Sequence, residues 1–393
     1  DEWASSMHAY SAKDPVWLSL QRHEHQVHDE IGIELGDFCV QCHSPVAALT
    51  DAIADHNTFS LSDLYALPPQ IQEGVTCDVC HTVTHIPEPT DIQTDGQFFE
   101  TANFNLFTDG TRYSTIDDPV DNDYHASGYN PDYDRSEFCQ NCHNLTVNGV
   151  NAEVTQFEWE GTAFQAMGSE CQSCHMPLKA NGDHLHTFVG VDIDLTFDPI
   201  ENSPLYDDVS AMLKSAVELE FGYNNIILPE TIQQEEILNI PISIKSMTAH
   251  SIPSGTSFSR EAWLEVVIFD NNLDTVFQSG VVENSESLNL SDPTLKLFTS
   301  YLIDSQNDTT HSIMETYGII DNNLLPGFAT TPVYYNITIS NEMAGLLDMQ
   351  VRMLFRAFKP KLLRDHPNTK LLANLPIFEM ASIRDTVYIQ SSQ

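Results

Sequence analysis

The sequence has little positive charge. Its 393 residues include 16 lysines and arginines against 57 aspartates and glutamates, which gives a formal net charge of −41. A surface this acidic repels nucleic acid and anionic lipid, and it attracts cations and basic proteins. The same charge would also keep a protein soluble in salty or extracellular surroundings. Charge alone therefore excludes nucleic acid as a partner but does not select a cationic one.

Long hydrophobic runs are absent as well. No apolar stretch approaches the ~18–20 residues needed to cross a bilayer, so we predict no transmembrane segment. The sequence starts at Asp1 with neither a methionine nor a charged-then-apolar leader, as expected where an export signal has been removed. The sequence thus predicts an exported protein, extracellular or at the cell surface, or else periplasmic.

Cysteine is scarce, and all eight cysteines belong to one repeated pentapeptide, Cys-x-x-Cys-His. The four copies are Cys39, Cys42 and His43; Cys77, Cys80 and His81; Cys139, Cys142 and His143; and Cys171, Cys174 and His175. Two thiols three positions apart can bond the two vinyl groups of one heme, while the next histidine binds the iron. Zinc sites, iron–sulfur sites, thioredoxin-like sites and disulfides also use paired cysteines, but none explains the histidine after every pair. The sequence predicts four covalent c-type hemes.

The two halves of the chain have different compositions. Thirteen of the 16 histidines lie before residue 190, and only His250, His311 and His366 lie after it. We predict a tetraheme cytochrome domain at 1–195, made of short helices and loops whose core is supplied by the porphyrins, because its apolar periodicity is patchy. A connector at 196–232, helix-like over 209–219, leads to a domain at 233–393. The predicted fold class is α+β.

The last domain is predicted to be an all-β, immunoglobulin-like sandwich. Short alternating or β-branched runs separated by turns are typical of antiparallel sheets. The predicted strands are 237–244, 262–269, 275–279, 294–302, 333–339, 349–355 and 386–389. We assign this domain a structural or contact role because it carries no catalytic constellation.

One helix is predicted in the heme domain. Asp14 suits its N-cap and Pro15 its first position, and apolar residues including Trp17 share one face until the helix ends near residue 32 or 36. His28 falls on that face, which makes it a candidate iron ligand. His25 points well away from it, so we predict that His25 is solvated.

Each iron has a second axial position besides its motif histidine. If a histidine fills it, the iron is six-coordinate and low-spin, which suits electron transfer; if water or nothing fills it, the iron can bind substrate. Twelve histidines remain for this purpose. The number of spare histidines favours capped irons.

Several segments resemble one family, the exported multiheme c-type cytochromes. That family includes electron carriers of ammonia oxidisers and extracellular tetraheme cytochromes that polymerise into conducting filaments. The matching segments are Ser6-Met7-His8-Ala9, Glu73-Gly74-Val75-Thr76 before Cys77, His125-Ala126 before Phe138-Cys139, Cys174-His175-Met176-Pro177, and His186-Thr187-Phe188-Val189-Gly190. His250-Ser251-Ile252-Pro253-Ser254-Gly255, with Arg260 and Trp263-Leu264-Glu265-Val266, resembles the β-domain that follows such heme domains.

The resemblance implies His8, His125, His186 and His250 as the distal iron ligands. His184 would share a face with His186 in an extended segment, so it is an alternative to His186. His28, His311 or a histidine of a neighbouring subunit could take the place of His250. The competing interpretation of any one loop histidine is an ordinary polar residue.

The predicted function is electron transfer, because four hemes crowded into one domain form a relay without bond chemistry at side chains. The partners would be redox proteins or an extracellular electron acceptor, and head-to-tail polymerisation would extend the relay into a filament. The alternative is a multiheme enzyme with one open iron acting on nitrogen or sulfur oxyanions. A heme-bearing structural or adhesive surface protein is the third option.

The enzyme is less consistent with the sequence. Only five lysines or arginines precede residue 190, and an anionic substrate needs cations near its iron. The acidic stretch from Asp117 to Asp123 could hold calcium, since calcium prefers carboxylate oxygens. It lacks a calcium-loop signature, so a solvated acidic loop is its default interpretation.

Overall fold

The computed structural model describes residues 2–31, 35–49, 55, 59–86, 109–282, 287–320, 323–364 and 366–391. These residues divide into two compact units. The first comprises Asp1–Asp194, Asn202–Leu205 and Tyr301–Ile320; the second comprises Leu195–Glu201, Tyr206–Ser300 and Asp321–Gln393. A segment from late in the sequence therefore belongs to the unit that carries all four cysteine motifs.

The described residues form a mixed α+β structure. The α-helices are α1 (Met7–Tyr10), α2 (Pro15–Ile31), α3 (Val40–His43), α4 (Pro45–Leu49), α5 (Leu61–Ala66), α6 (Cys77–His81), α7 (Gln140–His143), α8 (Thr155–Trp159), α9 (Ala163–Ala166), α10 (Cys171–His175), α11 (Tyr206–Ser215), α12 (Pro360–Arg364) and α13 (Lys370–Ala373). The strands are β1 (Thr111–Ser114), β2 (Ala126–Tyr129), β3 (Leu145–Val147), β4 (Val150–Glu153), β5 (Val217–Phe221), β6 (Thr231–Gln233), β7 (Ile237–Ser246), β8 (Glu261–Phe269), β9 (Thr275–Ser279), β10 (Lys296–Phe298), β11 (Tyr301–Ile303), β12 (Thr309–Thr310), β13 (Gly318–Ile320), β14 (Thr330–Thr338), β15 (Gly345–Arg356) and β16 (Phe378–Gln390).

The first unit is built from short helices, loops and three small sheets. β1 pairs in parallel with β2, β3 pairs with β4, and β11 lies between β12 and β13. One apolar cluster of this unit contains Trp17, Val40, Ala47, Phe59, Leu61 and Leu64. This cluster packs α2 against α3, the helix of the first cysteine motif.

Helix α2 starts at the predicted residue. Asp14 Oδ1 accepts the Val16 N–H at 2.9 Å, and the helix runs to Ile31. Its N-cap and start are confirmed, whereas the prediction for His25 is wrong: this side chain is half-buried rather than solvated. The side chain of His28 lies outside the described part of the structure.

A late segment of the chain is tied to α2 by a buried carboxylate. Glu24 accepts hydrogen bonds from the hydroxyl of Ser312 and from the N–H of Ile313, the latter at 2.7 Å. Burial raises the pKa of Glu24, and the Ser312 hydroxyl counters that shift. These bonds join β12 and the loop that follows it to the first unit.

Asp14 is expected to make the first unit less stable as the pH rises. Burial raises its pKa to about 7, with hydrogen bonds from the backbone opposing burial and Asp192 and Asp194 adding to it. Because the folded pKa exceeds the unfolded one, the folded protein holds an extra proton between about pH 4 and pH 7, and stability is lost as the pH rises through that window. Asp14→Asn keeps the cap and removes the charge. Chemical unfolding measures the free energy of unfolding of both proteins. The value for the variant, relative to the wild type, should be higher at pH 8 than at pH 5. An equal difference at the two pH values would contradict this.

The second unit is made of two sheets. The larger has the order β10-β8-β15-β16-β6, with β9 also paired to β8, and the smaller has the order β14-β7-β5. All pairings are antiparallel except that of β16 with β6. Alternation places Leu238, Ile240, Ile242 and Ile244 of β7 in the core.

One predicted strand and one predicted helix need correction, and one further strand was not predicted. The predicted strand 294–302 is two strands, because Thr299 Oγ1 donates to Arg260 O at 2.7 Å and the Lys359 ammonium donates to Ser300 O at 2.9 Å, which ends β10. The predicted helix over 209–219 ends at Ser215, and β5 begins at Val217 with alternating burial. β6 was not predicted. The predicted connector at 196–232 therefore contains α11, β5 and the start of β6.

A buried ion pair joins β8 and β15. Arg356 is 2% exposed, and its Nε donates to Glu261 Oε2 at 2.6 Å. Arg356→Ala would leave the Glu261 carboxylate buried without its ion-pair partner. The substitution should cost about 3–5 kcal/mol of unfolding free energy. The control is Arg384→Ala on β16, where Arg384 is 66% exposed and pairs with Asp348, so the cost should be about 0–1 kcal/mol. Equal losses in chemical unfolding would contradict this difference.

Candidate functional site

Each cysteine motif folds as one helical turn. The turns are α3, α6, α7 and α10, and in the first and third motifs the histidine N–H donates to the first cysteine O at 3.1 Å. Positions three apart lie on one face of a turn, so both thiols of a pair point to the same side. All eight cysteines are free thiols. The described geometry therefore suits two bonds to one group and gives no support to a disulfide framework.

The four turns gather around the third motif. A hydrogen bond between the Cys42 and Cys142 thiols is the largest cause that raises the pKa of Cys42. A hydrogen bond likewise joins the thiols of Cys139 and Cys171. It raises the pKa of Cys139 and lowers that of Cys171. Burial raises the pKa of Cys80 to about 12, with a further contribution from Cys142. The third motif thus lies beside each of the other three.

Three motif histidines are oriented by backbone carbonyls. The Nδ1 atoms of His43, His81 and His175 lie 3.4, 2.7 and 2.6 Å from carbonyl oxygens. The acceptors are Ser11 O, Tyr113 O and Val189 O respectively. Histidines that bind a metal commonly donate their other ring N–H in this way, which fixes the tautomer and ring orientation. The Nε2 atoms are left to act as ligands.

Two predicted distal histidines lie opposite motif histidines. The ring centroids are 6.4 Å apart for His8 and His143, and 6.1 Å apart for His81 and His186. An iron bound by two imidazoles at about 2 Å each would hold their ring centroids about 6 Å apart. The separations therefore fit one iron between each pair.

His8 is kept neutral by its surroundings. Burial, together with the nearby His143 and His175, lowers its pKa to about 3. Burial also lowers the pKa of His43 to about 4. Only the neutral imidazole has a lone pair for a metal, so both rings are in the ligand form at neutral pH.

His184 and His186 have different surroundings. The Nδ1 of His184 lies beside Met176 O, and its Nε2 lies 3.5 Å from Asp134. The Nδ1 of His186 is 3.0 Å from His184 O, and its ring faces His81. This geometry favours His186 over His184 as the ligand.

Variants separate these two histidines. His186→Ala should turn one low-spin heme high-spin because the iron held by His81 would lose its second ligand. His184→Ala is the matched control and should leave all hemes low-spin. Electron paramagnetic resonance of the oxidised proteins reads the outcome, and the opposite pattern would show that His184 is the ligand.

The remaining candidate ligands are His125, His250 and His311. His125 has Nδ1 at 2.9 Å from Ala126 O and accepts the Asn122 amide on Nε2 at 3.1 Å. His250 lies in the second unit, with Nδ1 at 3.0 Å from Ser251 O. His311 lies in the first unit, directly before Ser312. The assignment of His125 remains a prediction, as does the choice among His250, His28, His311 and a histidine of a neighbouring subunit.

No cluster for another metal is present in the described ranges. Nowhere among them do three or more histidine, cysteine or acidic side chains converge on a point that could hold an ion. The segment from Asp117 to Asp123 lies within these ranges and has no such cluster. A structural zinc site needs four such ligands, whereas a heme iron takes at most two from the protein.

Aromatic side chains around the histidines were not predicted as part of the site. Trp17 stacks on His43 with centroids 4.6 Å apart and an interplanar angle of 12°. Phe188 contacts His8 at 4.3 Å and His186 at 5.8 Å between centroids. The sequence holds a weak signal for Trp17, its place on the apolar face of α2. It holds none for Phe188 beyond its position two residues after His186.

Comparison with known proteins identifies a structural neighbour. The chain resembles a penta-heme cytochrome c552 from Thermochromatium tepidum, with 20% identity, a TM-score of 0.65, and coverage of 98% of this chain and 95% of that one. The chain has a multiheme-cytochrome fold. That neighbour is described as having five hemes, whereas this sequence has four attachment motifs.

Other similarities are weak. The CARDB domain of the PF1109 protein from Pyrococcus furiosus, solved with di-metal ions, has 8% identity and a TM-score of 0.20 over 44% of this chain and 86% of its own. The C-terminal domain of wzt has 5% identity and a TM-score of 0.23 over 46% and 76%. TM-scores this low do not indicate a shared fold. No family model and no curated protein matches the chain.

Proposed function

We propose that this protein transfers electrons through four covalently bound c-type hemes. The observation that carries the proposal is the gathering of four Cys-x-x-Cys-His turns in one unit, with thiols of neighbouring motifs in contact. Hemes attached there would lie close together, and electron tunnelling is fast only over short separations. The cysteines would hold the porphyrins, and His43, His81, His143 and His175 would bind the irons.

The distal ligands we propose are His8 for the iron of His143 and His186 for the iron of His81. Their ring separations of 6.4 and 6.1 Å support this pairing. His125 and His250 would complete the other two irons, with His28, His311 or a histidine of a neighbouring subunit as alternatives to His250. Irons capped on both sides favour electron transfer over substrate binding.

The remaining assignments rest on the family resemblance and on composition. We infer an exported protein whose second unit is an immunoglobulin-like sandwich with a structural role. Within the described ranges, no helix is both long and apolar enough to cross a bilayer. Redox proteins or an extracellular acceptor would take the electrons. Head-to-tail polymerisation would extend the relay into a filament, which electron microscopy of the purified protein would show.

A reductive titration tests the proposed function against the enzyme alternative. The oxidised protein should take up four electrons per chain in steps that leave the axial ligands unchanged. The reduced protein should then not consume nitrite, hydroxylamine or sulfite faster than its heat-denatured form does. Rapid consumption of any of these compounds would favour an enzyme with an open iron and would contradict the carrier.

A further inference from the structure

Phe188 contacts both of the histidines that lie opposite motif histidines. Its ring centroid is 4.3 Å from that of His8, at an interplanar angle of 52°, and 5.8 Å from that of His186, edge-on at 88°. His8 faces His143 of the third motif, whereas His186 faces His81 of the second. One aromatic side chain therefore touches the proposed distal ligands of two different irons.

The backbone of Phe188 has an uncommon conformation. Its φ is +47°, in the left-handed region, where a residue with a bulky side chain is an outlier. Such a conformation costs free energy and persists only where the surrounding structure fixes it. On one side of Phe188, the His186 N–H donates to Glu2 Oε2 at 3.1 Å. On the other side, Val189 O lies 2.6 Å from Nδ1 of His175. These contacts hold the backbone where the Phe188 ring reaches both distal histidines.

Packing alone does not explain a phenylalanine at this position. Phe188 is only partly buried, so its ring is not a core side chain of the first unit. Filling the same space with leucine would bury similar apolar surface, and glycine would remove the conformational strain. The flat ring has a further property that neither residue shares, since it lies against two other flat rings and restricts their rotation.

The ring planes of axial histidines affect the iron that they bind. The π orbitals of an imidazole interact with the iron d orbitals, so the angle between two axial rings sets the splitting of those orbitals and the g values of low-spin iron. The rings of His8 and His143 meet at 45°. Those of His81 and His186 meet at 31°. An imidazole can turn about its bond to a metal unless a neighbouring group fixes its plane.

We propose that Phe188 is a positioning residue that fixes the ring planes of His8 and His186 at two irons of the relay. This proposal rests on the proposed function, since it requires hemes at the second and third motifs. These motifs are neighbours, because Cys142 lies near enough to Cys80 to raise the pKa of that thiol. One side chain would thus set the electronic state of two adjacent hemes together without binding either iron.

The test uses electron paramagnetic resonance of the oxidised, heme-loaded protein and its variants. Phe188→Gly removes the ring, and it keeps the backbone conformation because glycine adopts positive φ readily. Phe188→Leu keeps most of the apolar volume without a flat ring. Both variants should change the g values of two of the four low-spin hemes and leave the other two as they are in the wild type.

Two controls separate this effect from a general response to substitution. Phe188→Tyr keeps the ring and should retain the wild-type g values. Tyr65→Ala removes a ring that is 46% exposed in α5 of the same unit, and it should change none of the four signals. Circular dichroism of each variant shows that the first unit is folded.

Three outcomes would overturn the proposal. Unchanged g values in both Phe188→Gly and Phe188→Leu would show that other contacts fix the two histidines. A change in Phe188→Gly that is absent from Phe188→Leu would show that Phe188 only fills volume. Equal changes in the two controls would show a general effect. A wild-type protein with fewer than four hemes by pyridine hemochrome assay would instead contradict the proposed function, so the two failures are distinguishable.

Discussion

Replacing His8 by alanine is expected to convert one of the four hemes from low-spin to high-spin. The ring of His8 lies 6.4 Å from that of His143, is partly buried and is neutral at physiological pH. Alanine would leave the iron proposed at His143 without its second protein ligand. Electron paramagnetic resonance of the oxidised variant should show a high-spin signal equivalent to one heme per chain, and added imidazole should reverse it.

The control for this variant is His366→Ala in the second unit, where His366 accepts the Asn368 N–H at 2.9 Å. It should leave four low-spin hemes. An unchanged spectrum in His8→Ala, with four hemes still bound, would show that another residue caps the iron of His143. The pairing of His8 with His143 would then be wrong.

Loss of the third heme site is expected to be far more damaging than loss of the fourth. Cys142 contacts Cys42, Cys139 contacts Cys171, and Cys142 also influences Cys80. Both residues between the third pair, Gln140 and Asn141, are buried, whereas the fourth pair has one buried residue, Gln172, and one exposed residue, Ser173. A heme held at the third motif would therefore be surrounded by the others and would form the centre of the core.

The double variant Cys139→Ala with Cys142→Ala should fail to fold its first unit, because the lost burial is comparable to the whole stability of a domain, about 5–15 kcal/mol. Cys171→Ala with Cys174→Ala should give a folded three-heme protein with a lowered melting temperature. Circular dichroism melting and heme counts measure both. Equal stability of the two variants would contradict the central place of the third motif.

The cysteine motifs indicate heme sites from local chemistry alone. Two thiols and a histidine within five residues are enough to indicate a heme site. The count of four hemes stays a prediction. Helix α2 was predictable for a similar reason, since Asp14 and Pro15 mark its start in the sequence. Local signals also located β9 at residues 275–279.

The pairing of histidines could not be predicted from the residues alone. His8 and His143 are far apart in sequence, and only the folded first unit brings their rings to 6.4 Å. The break between β10 and β11 is also a long-range effect, because Arg260 and Lys359 bind the residues at the break. His25 was assigned to solvent on helical periodicity, which does not show what other segments pack around a helix.

The most direct test of the account is electron paramagnetic resonance of the fully oxidised protein together with a pyridine hemochrome assay on the same sample. The account predicts four hemes per 44.1 kDa chain, all low-spin, with no high-spin signal. A high-spin heme that shifts when nitrite, hydroxylamine or cyanide is added would contradict it, because an open iron belongs to an enzyme rather than to an electron carrier.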